Sequence, residues 1–282
     1  MISCDVNHLN DIYQGYCKLY ACYNPGAITG FTKECVRHKY ARAPVSQVVC
    51  EFQFNGANPW DWTIPGLIYQ KIHNEFPEKR QESAFEIKIT PQEQRVEKTF
   101  PGSLSKMQFV SADSSTMVQI GPDLLAVNIL KDYPGWERFR ELIRKQFEVY
   151  CEIANPVSYK RLGLRFINTI DFSSPAIEII DYFNYYPHLP ASIEQAHGPF
   201  TMHVFPTLEG DRDALGLRMG TIVPITHNNV VIVLDLDYYL VRADQLALNE
   251  GPAWIERAHE SIETIFESCI TDKARALFAE VK

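Results

Sequence analysis

The feature that most constrains this chain is residues 159–172, YKRLGLRFINTIDF, the longest clean period-two run in the sequence. Side chains alternate across a strand, so Arg161, Arg165, Thr169 and Asp171 fall on one face, and Leu162, Leu164, Phe166, Ile170 and Phe172 on the other. The spacing predicts a long β-strand that buries one face and presents two arginines on the opposite one. Asn168 is the polar exception on the apolar side and calls for a hydrogen-bond partner.

A strand of this kind needs a core to face. The 282 residues are 46% hydrophobic, enough for one large or two intimate domains. The formal charge of −8 argues against a broad electrostatic footprint for nucleic acid or anionic membrane. A protein partner or a small anionic ligand is the expected class of partner, and a homo-oligomer with residues 60–62 (WDW) as its contact is a further reading. No apolar run approaches the roughly 18 residues of a membrane helix, and the N-terminus lacks a signal-peptide pattern. Seven cysteines, an odd number scattered over the chain, do not form a secreted disulfide framework. A cytoplasmic protein with reduced thiols is the expectation.

Residues 1–43 form an extension with little periodicity that holds four of the cysteines. Cys17, Cys22, Cys35 and His38 are the ligand types of a tetrahedral structural zinc, although no C-x2-C pair is present. The competing reading is an ordinary packed extension, since small cysteines behave as apolar residues.

Two halves follow, 44–156 and 157–282. The first opens with VVCEFQF as a strand, then a helix whose Ile68, Ile72 and Phe76 repeat at helical spacing, then short strands near 84–90, 95–100, 106–112, 116–120 and 124–130. A long helix with Asp132 near its cap and Pro134 in its first turn runs toward Asn155-Pro156. The second half repeats the plan: the arginine strand, a helical piece at 177–183, strands at 200–206, 215–223 and 230–240, and a helix from 252 to 269. Thr271 caps a last short helix. The expected fold class is α+β, a mostly antiparallel sheet with long helices packed on one face. Two echoes bear on internal duplication of a strand–helix–meander–helix unit: Pro134-x-Trp136-x14-Cys151 with Pro252-x-Trp254-x14-Cys269 fits the repeat, whereas the LGLR of residues 162–165 and that of residues 215–218 fall at non-equivalent places within it, and chance is the alternative for both.

No dinucleotide fingerprint, Walker loop, HExxH or GxSxG is present. Three constellations carry candidate chemistry. Arg161 and Arg165, joined by Arg218, present planar donor forks suited to carboxylate or phosphate; cross-strand salt bridges are the plain alternative. Asp235 and Asp237 share a strand face and are the pair from which a Mg²⁺ site is built, with Asp211 or Asp213 recruited from a loop. That would make the chain a metal-dependent enzyme acting on a phosphate-containing substrate. His259 sits in the sector of Ile255, Ile262 and Phe266 on the last long helix, the usual setting of a core histidine.

The block at 40–54, the Phe109-x-Ser-x-Asp113 segment, Trp136-Glu-x-Phe139, Arg161-x-Gly-Leu-Arg165-x-x-Asn168, Leu234-Asp-x-Asp237 and Ala258-His259 together resemble a sporadically distributed prokaryotic family of uncharacterised proteins over residues 40–280. The resemblance implies no activity. A sporadic distribution is one shared by mobile-element, toxin–antitoxin and phage-defence genes. The extension before Tyr40 departs from that family's pattern.

Overall fold

The computed structural model of the protein describes residues 38–56, 59–83, 87–89, 96–98, 104–190, 192, 198–208, 210–222 and 229–280, all within one unit, Val36–Lys282. Four of the candidate ligands fall around this boundary: Cys17, Cys22 and Cys35 lie outside the described residues, whereas His38 is described and its Nδ1 lies 2.7 Å from Glu280.

The first strand, β1 (Val45–Gly56), alternates buried and half-exposed residues, with Val48, Cys50, Phe52 and Phe54 pointing into the core. Helix α1 (Ile64–Ile72) follows, then β2 (Glu78–Ser83), β3 (Ile87–Ile89), β4 (Val96–Lys98), β5 (Leu104–Val110), β6 (Thr116–Gly121) and β7 (Leu124–Ile129). Helix α2 (Trp136–Ala154) ends the half at Asn155, whose left-handed backbone (φ 47°) stops it before Pro156. The second half is β8 (Pro156–Phe172), the four-residue α3 (Ile179–Tyr182), β9 (Thr201–Val204), β10 (Thr207–Leu208), β11 (Asp213–Ile222), β12 (Val230–Leu240), α4 (Gly251–Cys269) and α5 (Asp272–Leu277). Thr271 caps α5 by accepting from the Ala274 N–H.

Ten strands form one sheet in the order β10-β11-β12-β8-β1-β7-β6-β5-β2, with β9 also on β11, and the described pairs are all antiparallel. The fold is therefore α+β. The β3–β4 pair stands apart as a two-stranded sheet. The order is mirrored about the central β8–β1 pair: each is flanked by the last strand of its own half, then by the strand before it.

The described helices lie on one face. Tyr150 of α2 stacks on Phe54 at 4.9 Å, Trp254 of α4 meets Tyr238 at 5.5 Å, Tyr69 of α1 meets Phe109 at 5.2 Å, and Tyr182 of α3 meets Phe172 at 4.7 Å. Burying these aromatic side chains contributes about 2–3 kcal/mol each relative to exposure. Their strand partners all carry the core parity, so the sheet's other face is left to the arginine side of β8.

One local expectation is corrected, and two features depart from the simple pattern. Helix α2 begins at Trp136 after Gly135 (φ 95°), so Asp132 and Pro134 precede it rather than cap it. Tyr159 departs from the parity of Arg161: a register shift between Gln53 and Phe54 marks a bulge that returns its ring to the core, against Phe54 at 5.7 Å. The helix echo also places its tryptophans differently. Trp254 is 1% exposed, whereas Trp136 is only partly buried, at the seam with α4, where its ring lies 3.9 Å from that of His259.

Candidate functional site

The charged residues singled out on β8, β11 and β12 meet on the face without described helices. Register explains the meeting. β12 runs between β8 and β11, with Asp237 opposite Arg165 and Gly216, and Asp235 opposite Ile167 and Arg218. The two LGLR segments thus flank one acidic strand from both sides.

The ion pairs run diagonally across this register. Arg165 grips Asp235 bidentately, Nε to Oδ1 at 2.7 Å and a terminal nitrogen to Oδ2 at 2.6 Å. Arg161 bridges two strands, donating to Glu51 Oε1 on β1 at 3.0 Å and to Asp237 Oδ2 on β12 at 3.1 Å. Gly163 makes this reach feasible. A Cβ there would stand 2.5 Å from an Arg161 guanidinium nitrogen, so the guanidinium lies across the backbone of the one residue that leaves it room. The Tyr239 ring lies 5.4 Å beneath the same guanidinium. Gln53 completes the row by donating to Glu51 at 3.0 Å.

The strip is sequestered as well as paired. Asp235 and Asp237 are 5% and 7% exposed. Burial pushes the Asp237 carboxyl upward from its ordinary value, and the guanidinia of Arg161 and Arg165 only partly oppose that. His203 on β9 stands opposite Arg218 and is pushed down to about 4, first by burial and then by the Arg218 charge. Its imidazole is neutral at pH 7.

Arg218 differs from the other two arginines. It is half-buried and directly across from Asp235, yet it forms neither hydrogen bond nor ion pair among the described residues, while Arg165 bonds both Asp235 oxygens. Its same-face neighbours on β11 are Gly216, which is buried, and Gly220, beside which the Phe200 carbonyl and the Thr201 side chain pack, and its cross-strand neighbours are Asp235 and His203.

The remaining candidates go elsewhere. His259 lies on the helix side, 7% exposed, stacked on Trp136 and 3.5 Å from Glu263. Asp213 heads β11 on the core side, where its 1%-exposed carboxylate accepts from Trp254 Nε1 at 2.9 Å, Tyr238 OH at 3.2 Å and Arg212 at 2.6 Å. It is therefore not a third ligand for Asp235 and Asp237, and among the described residues no group of three His, Cys, Asp or Glu is arranged to hold a metal ion. Asn168 donates to the Leu234 carbonyl at 3.1 Å, which supplies its expected partner. Sequence reasoning missed Glu51, Gly163 and His203. Glu51 was visible on the polar side of VVCEFQF; His203 was visible only as one histidine among several.

No described helix is long and apolar enough to cross a membrane. A scan against protein-family models and a search of curated proteins each give no match for the chain.

Proposed function

We propose that the protein is a binding module that captures an anionic group, of carboxylate or phosphate chemistry, at Arg218. One observation carries the reading: of three arginines on the strip, Arg161 and Arg165 are held by carboxylates and Arg218 is not. A guanidinium offers five donors in a planar fork that matches a carboxylate or phosphate. Neutral His203 adds no repelling acid and no competing charge beside it. The surrounding ion pairs fix the platform in advance, which lowers the ordering cost of binding. The metal-dependent alternative is the weaker reading, since Asp235 and Asp237 already neutralise arginines. Duplication of the strand–helix–meander–helix unit is the reading that explains the mirrored strand order, with the charged strip centred on β8 and β12 and joined by Glu51 of β1.

The test is thermal unfolding at constant ionic strength with inorganic phosphate or acetate as the probe. Binding to the native state raises Tm with ligand concentration. The rise is expected for the parent protein, partly kept in Arg218→Lys and abolished in Arg218→Ala. An equal rise in Arg218→Ala, or none in the parent, would remove the basis for the reading.

A further inference from the structure

The register gives Arg218 a kind of neighbour that the ion-paired arginines do not have. Across from Arg165 stand Val49 and Asp237, and across from Arg161 stands Gln53. Arg218 has Asp235 of β12 on one side and, on the other, the imidazole of His203 from β9. Directly opposed residues of an antiparallel pair point to the same face with Cβ atoms about 5 Å apart, so one small anion can meet both side chains. His203 is half-buried, and its ring packs 3.9 Å from that of Phe205. Burial first, and then Arg218, disfavour a proton on the ring; Arg165 from β8 adds to them, and Asp235 opposes them. The ring is therefore neutral at pH 7, with a value of about 4. An anion on Arg218 cancels the repulsion between the guanidinium and a protonated imidazole, and it gives that imidazole a partner of its own.

We propose that His203 is the second anion-binding group of this site and couples capture to proton uptake, so that the anion meets one positive charge at neutral pH and two in acid. The inference rests on the Arg218 reading and adds to it the regulation of the site, a grip that tightens as pH falls. It also favours an anion that keeps its charge in acid, such as a phosphate or sulfate ester, over a carboxylate, which is neutralised in the range where His203 gains its proton.

The test uses the full chain, with inorganic sulfate as the probe because its charge is constant across the range. Calorimetric titration in two buffers of different ionisation enthalpy reads the protons taken up per sulfate bound. A bound anion is expected to raise the proton affinity of His203 about ten-fold. Uptake of about 0.4 proton per sulfate is then expected at pH 5, and almost none at pH 7.5. His203→Gln keeps an N–H donor but takes up no proton in this range, and it is expected to lose the uptake. Should that variant not fold, the 13Cε1 resonances of the eight histidines read the same coupling in the unsubstituted protein. The one with the most acidic midpoint is expected to move that midpoint upward in saturating sulfate. Sulfate binding that Arg218→Ala abolishes, but that carries no proton at pH 5 or carries equal uptake in His203→Gln, would overturn this inference and leave the Arg218 reading standing. No sulfate binding, or binding unchanged in Arg218→Ala, would overturn both.

Discussion

The two wings of the sheet beside the β1–β8 pair are built alike and charged differently. Among the positions facing away from the helices are Ala126 and Asn128 on β7 and Asp235 and Asp237 on β12. Burial does not distinguish them, at 2% and 6% against 5% and 7% exposed. Asn128 is satisfied by the backbone carbonyls of Met117 and Ala126, so β7 closes with neutral groups at these positions, and the ion pair of that wing, Lys106 with Glu82, lies further out between β5 and β2. Desolvating a carboxylate costs several kcal/mol, offset only by good pairing. A sheet of this topology therefore does not require charge at these positions. Strand β12 bears a cost that β7 avoids, which is the physical reason the recognition proposed above is placed on the charged side.

The largest expected effect concerns the anchors of the two wings. Trp254 is fully buried and its indole helps satisfy the buried Asp213, so Trp254→Ala is expected to cost about 3–5 kcal/mol in urea unfolding followed by circular dichroism. Trp136 occupies the matching place in the sequence echo but is only partly buried, and Trp136→Ala is expected to cost roughly half as much. Equal costs would mean that the two wings are anchored alike and that the difference between them lies in the strip alone.

Breaking the strip comes next. Arg165→Ala leaves the buried Asp235 without its bidentate partner, for an expected loss of about 2–4 kcal/mol, below the full buried-pair range because Arg165 keeps 22% of its side-chain exposure. Arg165→Met with Asp235→Leu makes this wing resemble its neutral counterpart and is expected to stay within about 1 kcal/mol of the parent. A double variant as unstable as the single one would show that the fold itself depends on the charges. Arg218 sharpens the same experiment. In Arg165→Ala, Arg218 stands across from the vacated Asp235, so anion-induced stabilisation is expected to fall together with the ion pair.

How far the sequence reaches differs between these features for physical reasons. Period-two alternation located β8 and β12 and told which charges share a face, because a strand's side-chain parity is local. The diagonal pairing of Arg161 with Asp237 depends on inter-strand register and on the missing Cβ of Gly163, and neither is encoded locally. Strand β2, EKRQES, escaped because it has no apolar alternation; it is an edge strand held by backbone pairing to β5. Asp213 was readable only as a loop acid, since Tyr238 and Trp254, which fix it on the core side, are 25 and 41 residues away. The echo of Pro-x-Trp was legible but misleading about equivalence, because the two helices turn different faces to the sheet: Phe139, Ile143 and Tyr150 in α2, against Trp254, Ala258 and Ile262 in α4.

The smallest expected effect is a pH dependence confined to the charged wing. His203 is held neutral by burial and by Arg218, with Arg165 adding to the depression and Asp235 opposing it. Its folded value, about 4, lies below the ordinary 6.5, so between these limits the unfolded chain binds more protons than the folded one. Stability from this group is thus intact above pH 6.5, declines as pH falls toward 4, and is fully lost below that. Asp237 acts with the opposite sign: its raised carboxyl favours the protonated folded form, so its contribution falls as pH rises through its titration. The two slopes overlap in the acid range, and the difference between parent and His203→Gln isolates the histidine. That difference in unfolding free energy is expected to be flat above pH 6.5 and to shift in favour of the variant as pH falls toward 4. A constant difference across the range would mean that His203 titrates alike in both states and that the charged wing does not hold it neutral.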